Sequence, residues 1–321
     1  MSMKILRSNR PQAILFAVVL GFSVYLIGLF TSGPYSSSWQ NSSPVFQNIR
    51  LQDLGWVNGL LGFVLAVIIA LLLRYICDKH KLFPEGTQLS FLFTLLFLSL
   101  APEGFGLSAL NLGLLLGISM LDYAFRIQKS NKPNDLVFMG SLSVGAMALI
   151  YTPFSVYLLL IWIAYLYSGH TNLRGVLISV VGYIIPFYFY FSIAFLLNLE
   201  SSFEFDFAFH WPVFSGSNQP FYILFLVLFV GLISIGSYIN ALNFNKIIIK
   251  NNFILLNVFA VLTLFLSSNQ EFGYRQGVAI LSFLLVPLLS NHFMRIRKNQ
   301  MGNIQFYGLL LLVVVFHLLG L

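Results

Sequence analysis

Apolar segments long enough to cross a lipid bilayer recur along the whole chain, and no charged residue lies in the middle of any of them. A helix needs about 20 apolar residues to cross a hydrocarbon core about 30 Å thick. Charged residues make up only 8% of the 321 residues, and hydrophobic ones 58%, whereas a soluble domain carries roughly 25% charged residues. Such a chain cannot cover a water-facing surface. The composition therefore excludes soluble enzymes and nucleic-acid-binding domains, and we expect no nucleic-acid partner.

The apolar runs predict an all-α polytopic membrane protein with about eleven transmembrane helices, because backbone groups in lipid must be hydrogen-bonded within each segment. No linker or internal repeat divides the chain, so residues 1–321 form a single integral membrane domain. The first run begins like a signal peptide, but it is too long and lacks a cleavage site, so we expect an uncleaved anchor. The predicted spans are 11–30, 56–75, 88–101, 105–121, 136–151, 154–168, 175–197, 220–242, 253–267, 276–293 and 304–321.

The basic residues predict the orientation of these spans. With the N-terminus inside and the C-terminus outside, all of the 17 Lys and Arg residues except Arg50 and Arg275 fall on the inner side. Cytoplasmic loops of membrane proteins carry this excess of positive charge. The net charge of +7 therefore has its cause in the topology and does not require an acidic partner.

Three connections on the predicted outer side are very short, at 101–104, 151–153 and 267–276. The apolar runs beside them hold about 14–17 residues, or roughly 21–26 Å of helix, which is less than the thickness of the hydrocarbon core. Polar turns at that depth are tolerated where protein or water surrounds them. We therefore predict an outward-facing cavity among several short helical hairpins. Helix tilt or local thinning of the bilayer is the alternative.

The polar residues of the outer connections are the candidate site. We expect Asp53 and Glu103 to be catalytic carboxylates, with Asp53 at the rim of the cavity as general base for an acceptor hydroxyl. Arginine suits phosphate oxygens because its planar guanidinium donates paired hydrogen bonds. The predicted substrate-binding residues are Arg50, Tyr151, Glu271, Tyr274 and Arg275.

Structural interpretations of the same residues stay open. Asp53 also suits a solvated helix start, where a carboxylate complements the helix dipole. Glu271 and Arg275 are four residues apart, so on a helix they would form a local ion pair. Glu204, Asp206 and His210 alternate with aromatic residues; an interfacial ribbon is the favoured interpretation and a divalent-metal site the alternative. We predict no metal site and name no cofactor.

The order of features resembles an uncharacterised family of bacterial multi-pass inner-membrane proteins, a domain of unknown function. This resemblance implies a location in the bacterial inner membrane and transfers no catalytic residue. It covers most of the chain and depends on the basic N-terminus before the first span and on four apolar motifs, Leu100-Ala101-Pro102-Glu103, Leu149-Ile150-Tyr151-Thr152-Pro153-Phe154, Asn172-Leu173-Arg174-Gly175-Val176-Leu177 and Gly182-Tyr183-Ile184-Ile185-Pro186.

A second, architectural likeness is to membrane glycosyltransferases that use polyprenyl-phosphate sugars. Those enzymes similarly have an inside N-terminus, many spans, an outward-facing cavity and acidic residues in the first outer loop, where this chain has Asp53. The likeness implies an envelope-biogenesis protein that handles a lipid-linked saccharide, with membrane lipids and a polyprenyl-phosphate-linked saccharide as partners. The alternative is a non-enzymatic membrane subunit or a lipid transporter of an envelope or secretion assembly.

Overall fold

A computed structural model describes residues 11–32, 56–82, 87–101, 106–169, 172–197, 239, 247–267, 274–296 and 299–318. These residues form α-helices and one 3-10 segment, and none of them lies in a β-strand. The all-α fold predicted from the sequence is therefore confirmed for the described part of the chain.

The helices are numbered in chain order. The 3-10 segment, Thr152–Tyr157, lies between the fifth and sixth helices. The helices are α1 Pro11–Ser32, α2 Trp56–Lys79, α3 Leu89–Ser99, α4 Ala109–Ile127, α5 Asn134–Ile150, α6 Leu158–Tyr167, α7 Leu173–Leu196, α8 Ile247–Ser267, α9 Tyr274–Arg295 and α10 Asn299–Leu318.

Five helices within the described residues are long and apolar enough to cross a membrane. Shorter apolar helices accompany them, including the whole of α3 and α5. Ten predicted spans coincide with helices, whereas the predicted segment 220–242 lies, apart from Ile239, outside the described residues. The long helical stretches are Val57–Lys79, Ala109–Ile127, Leu173–Leu196, Lys250–Ser267 and Gln276–Met294.

Contacts at the helix termini define two ends of the bundle. At one end, Lys79 at the end of α2 binds Asp122 near the end of α4, and Asn252 near the start of α8 reaches the carbonyl of His80. We call this the basic end. At the other end, the start of α2 contacts Leu107, just before α4. We call this the hairpin end, and the 3-10 segment belongs to it because Phe154 lies against Gly113 in the first turns of α4.

The centre of the bundle is built from α3 and α9. Every one of the 11 residues of α3 is buried. In the most apolar 18-residue stretch of α9, 83% of the residues are buried, whereas the corresponding share for α7 is 17%. Phe93 of α3 packs on Phe293 of α9 with ring centroids 5.3 Å apart. At 1.5 Å per residue α3 is only about 16 Å long. A helix so short and so enclosed is a core element surrounded by longer neighbours, while α7 lies at the periphery.

Gly113 and Gly117 lie four residues apart on α4, a spacing that lets helices approach each other. A Cβ added to Gly113 would lie 2.8 Å from a ring atom of Phe154, and one added to Gly117 would lie 3.2 Å from a ring atom of Phe283. Both glycines are therefore packing positions. Through them α4 contacts both the 3-10 segment and α9.

Candidate functional site

Most of the predicted outer site falls outside the described residues. Arg50, Asp53, Glu103 and Glu271 lie there, as do the alternative metal ligands Glu204, Asp206 and His210. The backbones of Tyr274 and Arg275 form the first turn of α9, but the structure does not describe their side chains. The convergence of these residues on one chamber therefore stays a prediction.

Tyr151 is the one predicted site residue whose side chain the structure describes. It caps α5 with an extended backbone, and its N–H donates to the carbonyl of Met147 at 3.0 Å. Its ring meets that of Phe154 edge to face at 5.3 Å, and the residue is only 3% exposed. Tyr151 is thus a packed part of the turn between α5 and α6.

The described residues just before α4, Gly106 to Ser108, are recessed at the hairpin end. The N–H of Leu107 donates to Asn58 Oδ1 at 2.7 Å, and a Cβ added to Gly62 would lie 2.5 Å from Gly106 N. Gly62 is six residues into α2, so this backbone contact lies about 9 Å below the first residue of that helix. The short α3 and the close approach of two glycines together draw the turn into the bundle.

The polar backbone of this recessed turn is satisfied by side chains. Ser108 is the N-cap of α4, and its hydroxyl accepts from the N–H of Asn111 at 3.2 Å. The amide of Asn111 donates in turn to the carbonyl of Gly106 at 2.8 Å. Serine at an N-cap supplies the acceptor that the first free N–H groups of a helix need. These bonds fix the turn, and the two side chains that make them, Ser108 and Asn111, are buried.

The 3-10 segment adds a second polar element beside the first turns of α4. The hydroxyl of Tyr157 is hydrogen-bonded to Thr263 Oγ1 of α8 at 2.9 Å, with both residues fully buried. The Tyr157 ring stacks on Phe259 at 4.9 Å. Non-helical backbone at membrane depth needs surrounding protein or water to satisfy it. The hairpin end therefore contains two irregular segments embedded among the helices.

The basic end contains a group of charged side chains, which begins where α2 terminates. Lys81 has a φ of 53°; the Leu82 N–H donates to the Cys77 carbonyl and the Lys81 N–H to the Asp78 carbonyl. This is a Schellman motif, in which a residue with left-handed backbone closes the helix and the apolar residue after it packs back. Leu82 and Cys77 are both buried, as that motif requires. The motif fixes His80 at the helix end, where its ring can meet α4.

The carboxylate of Asp122 is the centre of this group. Lys79 Nζ lies 2.7 and 2.9 Å from its two oxygens, and His80 Nε2 lies 2.8 Å from Oδ1. Arg126 Nη1 is 3.7 Å from Oδ2. The Asp122 side chain is only 16% exposed. A carboxylate so far from water is stabilised by the donors around it.

His80 connects the carboxylate to a second cation. Lys129 Nζ donates to His80 Nδ1 at 3.2 Å, so Nε2 carries the proton and donates to Asp122. Burial disfavours the charged ring and lowers the His80 pKa; Lys129 and Lys79 act in the same direction and Asp122 in the opposite one. Burial likewise lowers the pKa of Lys129, with Asp122 opposing the shift. We name the group formed by Lys79, His80, Asp122, Arg126 and Lys129 the basic cluster.

For the basic residues of this cluster, the sequence predicts only the side of the membrane on which they lie. Asp122 and Arg126 offered a local signal, because a carboxylate four residues before an arginine at the end of an apolar helix forms an ion pair. The sequence held no signal that the separate segment ending at His80 packs against Asp122. Among the described residues no three His, Cys, Asp or Glu side chains come together as a metal site.

Over the residues that the structure describes, the fold and its polar ends define a helical membrane protein with two irregular segments at one end and a charged cluster at the other. The chain belongs to a family of unknown function, DUF6427, which matches residues 45–321. No curated protein and no solved structure matches the chain.

Proposed function

We propose that this chain is a bacterial inner-membrane protein with eleven spans, its basic end in the cytoplasm and its hairpin end outside. The clustering of Lys79, Arg126 and Lys129 around Asp122 supports this orientation, because basic residues concentrate on the cytoplasmic side. Lys79 comes from the end of α2, whereas Arg126 and Lys129 come from the end of α4 and the turn after it, so their meeting is a property of the fold and not of local composition.

We further propose that the hairpin end handles a lipid-linked saccharide from an outward-facing cavity and acts as a glycosyltransferase. The observation that carries this proposal is the recessed turn, held by the 2.7 Å bond from Leu107 to Asn58. Glu103 comes three residues before Gly106 in the chain. A recessed turn with an acidic residue close to it in the chain suits a polar substrate that is attached to a lipid.

In this mechanism Asp53 removes the proton of the acceptor hydroxyl as the general base. Arg50 and Arg275 neutralise the phosphate of the polyprenyl carrier, whose departure leaves negative charge on its oxygens. Glu103 is the second candidate carboxylate, and Glu271 and Tyr274 complete the binding surface. Tyr151, which is only 3% exposed, supports this surface through its packing in the turn between α5 and α6.

Lipid co-purification with mass spectrometry tests the substrate class. The full chain should retain a polyprenyl-phosphate-linked saccharide, and the Arg275→Gln variant should retain much less of it. Arg174→Gln is the matched control, because Arg174 lies in the first turn of α7 and is not part of the proposed site. Retention of bulk phospholipid alone by the unaltered chain would refute the proposal.

The catalytic role needs a separate measurement, in cells whose envelope glycans are profiled. Asp53→Asn keeps the size of the side chain but removes the base, so a glycan present with the unaltered protein should be lost. Retention of every envelope glycan would remove Asp53 from the mechanism while leaving the binding proposal intact.

The second candidate is a non-enzymatic membrane subunit or lipid transporter, and the exposure of α7 favours it. Only 17% of the residues in the most apolar stretch of α7 are buried, and Phe195 and Leu196 are 82% and 77% exposed. A partner helix could cover this surface in an envelope or secretion assembly. Co-purification of a stoichiometric membrane partner, lost when α7 residues are altered, would distinguish this candidate from the enzyme.

A further inference from the structure

The basic cluster keeps an excess of positive charge after its internal pairing. Lys79 Nζ and Arg126 Nη1 lie 2.9 and 3.7 Å from one oxygen, Asp122 Oδ2. Lys129 is connected to the same carboxylate through the ring of His80. Three cations thus face one carboxylate, and His80 is neutral in this hydrogen-bond arrangement. The Lys79 and Arg126 side chains are 35% and 45% exposed, so their remaining donors can reach a ligand outside the bundle.

Aromatic side chains lie one turn back from these cations along the same helices. Lys79 Nζ is 5.8 Å from the ring centre of Tyr75, and Arg126 Cζ is 5.6 Å from that of Tyr123. Tyr75 is 60% exposed. Tyrosine prefers the headgroup region of a bilayer, since its ring is apolar and its hydroxyl is polar.

Exposed apolar side chains continue the same surface toward the middle of α2. Ile68, Leu71 and Leu72 are each about 40% exposed, and in a bilayer such residues contact acyl chains. From the middle of α2 to its end, the surface thus passes from aliphatic residues to tyrosine and then to cations. A phospholipid presents its acyl chains, glycerol backbone and phosphate in the same order.

We propose that this surface binds the headgroup of an anionic phospholipid, with its phosphate between Lys79 and Arg126 and its acyl chain along α2. The guanidinium of Arg126 supplies paired donors for phosphate oxygens, and Lys79 and Lys129 supply further positive charge. The charge excess carries the choice of an anionic lipid over a zwitterionic one. This binding site does not depend on the function proposed for the hairpin end.

Native mass spectrometry of the full chain, released from nanodiscs containing equal phosphatidylglycerol and phosphatidylcholine, tests the proposal. We expect preferential retention of phosphatidylglycerol, about fivefold weaker in Arg126→Gln, because one basic residue near a membrane surface contributes about that factor to binding an anionic lipid. Lys129→Gln should weaken retention in the same way. Arg174→Gln removes the same charge from the start of α7 and should change nothing.

Three results would overturn this assignment. An equal loss of phosphatidylglycerol retention in Arg126→Gln and Arg174→Gln would mean that any basic residue suffices. Unchanged retention in both Arg126→Gln and Lys129→Gln would mean that the cluster binds no lipid. Release of phosphatidylglycerol by millimolar inorganic phosphate would identify a free-anion site instead. Melting temperatures of all variants, measured in the same detergent, separate lost binding from lost folding.

Discussion

Asp122 is the residue on which the contact between the ends of α2 and α4 depends. It accepts hydrogen bonds from Lys79 and His80, two donors that would otherwise face each other near the end of α2. We expect Asp122→Asn to lower the free energy of unfolding by about 2 kcal/mol, since hydrogen bonds to a charged group are among the strongest. Thermal unfolding in detergent measures the change.

Asp135→Asn is the control for this substitution. Asp135 lies in the first turn of α5, where a carboxylate stabilises the helix by no more than about 1 kcal/mol through the helix dipole. An equal effect of the two substitutions would show that Asp122 contributes no more than an ordinary helix-end charge.

His80 gives the basic cluster a dependence on pH. Its pKa is lowered in the folded protein, chiefly by burial, so the unfolded chain takes up a proton at a higher pH than the folded one. The contribution of neutral His80 to the free energy of unfolding is therefore fully present above the ordinary histidine pKa of 6.5. It decreases as the pH falls below that value, until the pKa of the folded state is passed.

We predict that the melting temperature decreases between pH 7.5 and pH 5.5, and that His80→Gln flattens this decrease. His292→Gln is the control, because His292 pairs with Gln305 of α10 away from the cluster. A pH profile that His80→Gln leaves unchanged would contradict the assignment of the response to this ring.

At the scale of the element, the end of α2 is held by a lysine in a conformation that suits glycine. The left-handed backbone of Lys81 strains any side chain with a Cβ by about 1 kcal/mol, and glycine is free of this strain. We predict that Lys81→Gly is more stable than Lys81→Ala by about 1 kcal/mol, although both lose the same charge. Equal melting temperatures of the two variants would show that the Schellman motif does not determine this helix end.

The contact between α2 and the turn before α4 gives a second prediction at this scale. A Cβ at Gly62 would meet the backbone of Gly106, whereas one at Gly308 of α10 would meet nothing within 4 Å. Gly62→Ala should therefore destabilise the protein by roughly 1–3 kcal/mol, the usual cost of overpacking, while Gly308→Ala should not. Similar melting temperatures of these variants would contradict the recessed position of the turn.

How far the sequence predicts these elements depends on the range of the interactions that build them. Segments such as 56–75 and 175–197 were placed correctly because an apolar run specifies its own helix in lipid. The full burial of α3 and the exposure of α7 could not be predicted, since both runs are equally apolar and only packing against neighbours separates them.

The candidate sites differ in the same way. The shortness of the apolar runs beside it predicts the recess of the turn before α4, and the spacing of Gly113 and Gly117 is a local signal of close helix packing. The meeting of His80 with Asp122 was not anticipated, because it joins residues 42 positions apart in the chain. No local pattern in a sequence records a contact of that separation.

For the molecule as a whole, the proposed orientation requires the two ends of the bundle to lie on opposite sides of the membrane. The sole cysteine, Cys77, is buried, so Cys77→Ala offers a background into which single cysteines can be introduced. Leu107 marks the hairpin end and Ser130, in the turn after α4, marks the basic end; both are partly exposed.

Labelling of these two cysteines with a membrane-impermeant maleimide on intact cells tests whether the recessed hairpin end opens to the outside. We predict that Leu107→Cys is labelled from outside and that Ser130→Cys is labelled only after permeabilisation. Labelling of Ser130→Cys alone on intact cells, or no labelling of Leu107→Cys under either condition, would contradict the outward-facing cavity and the function proposed for it.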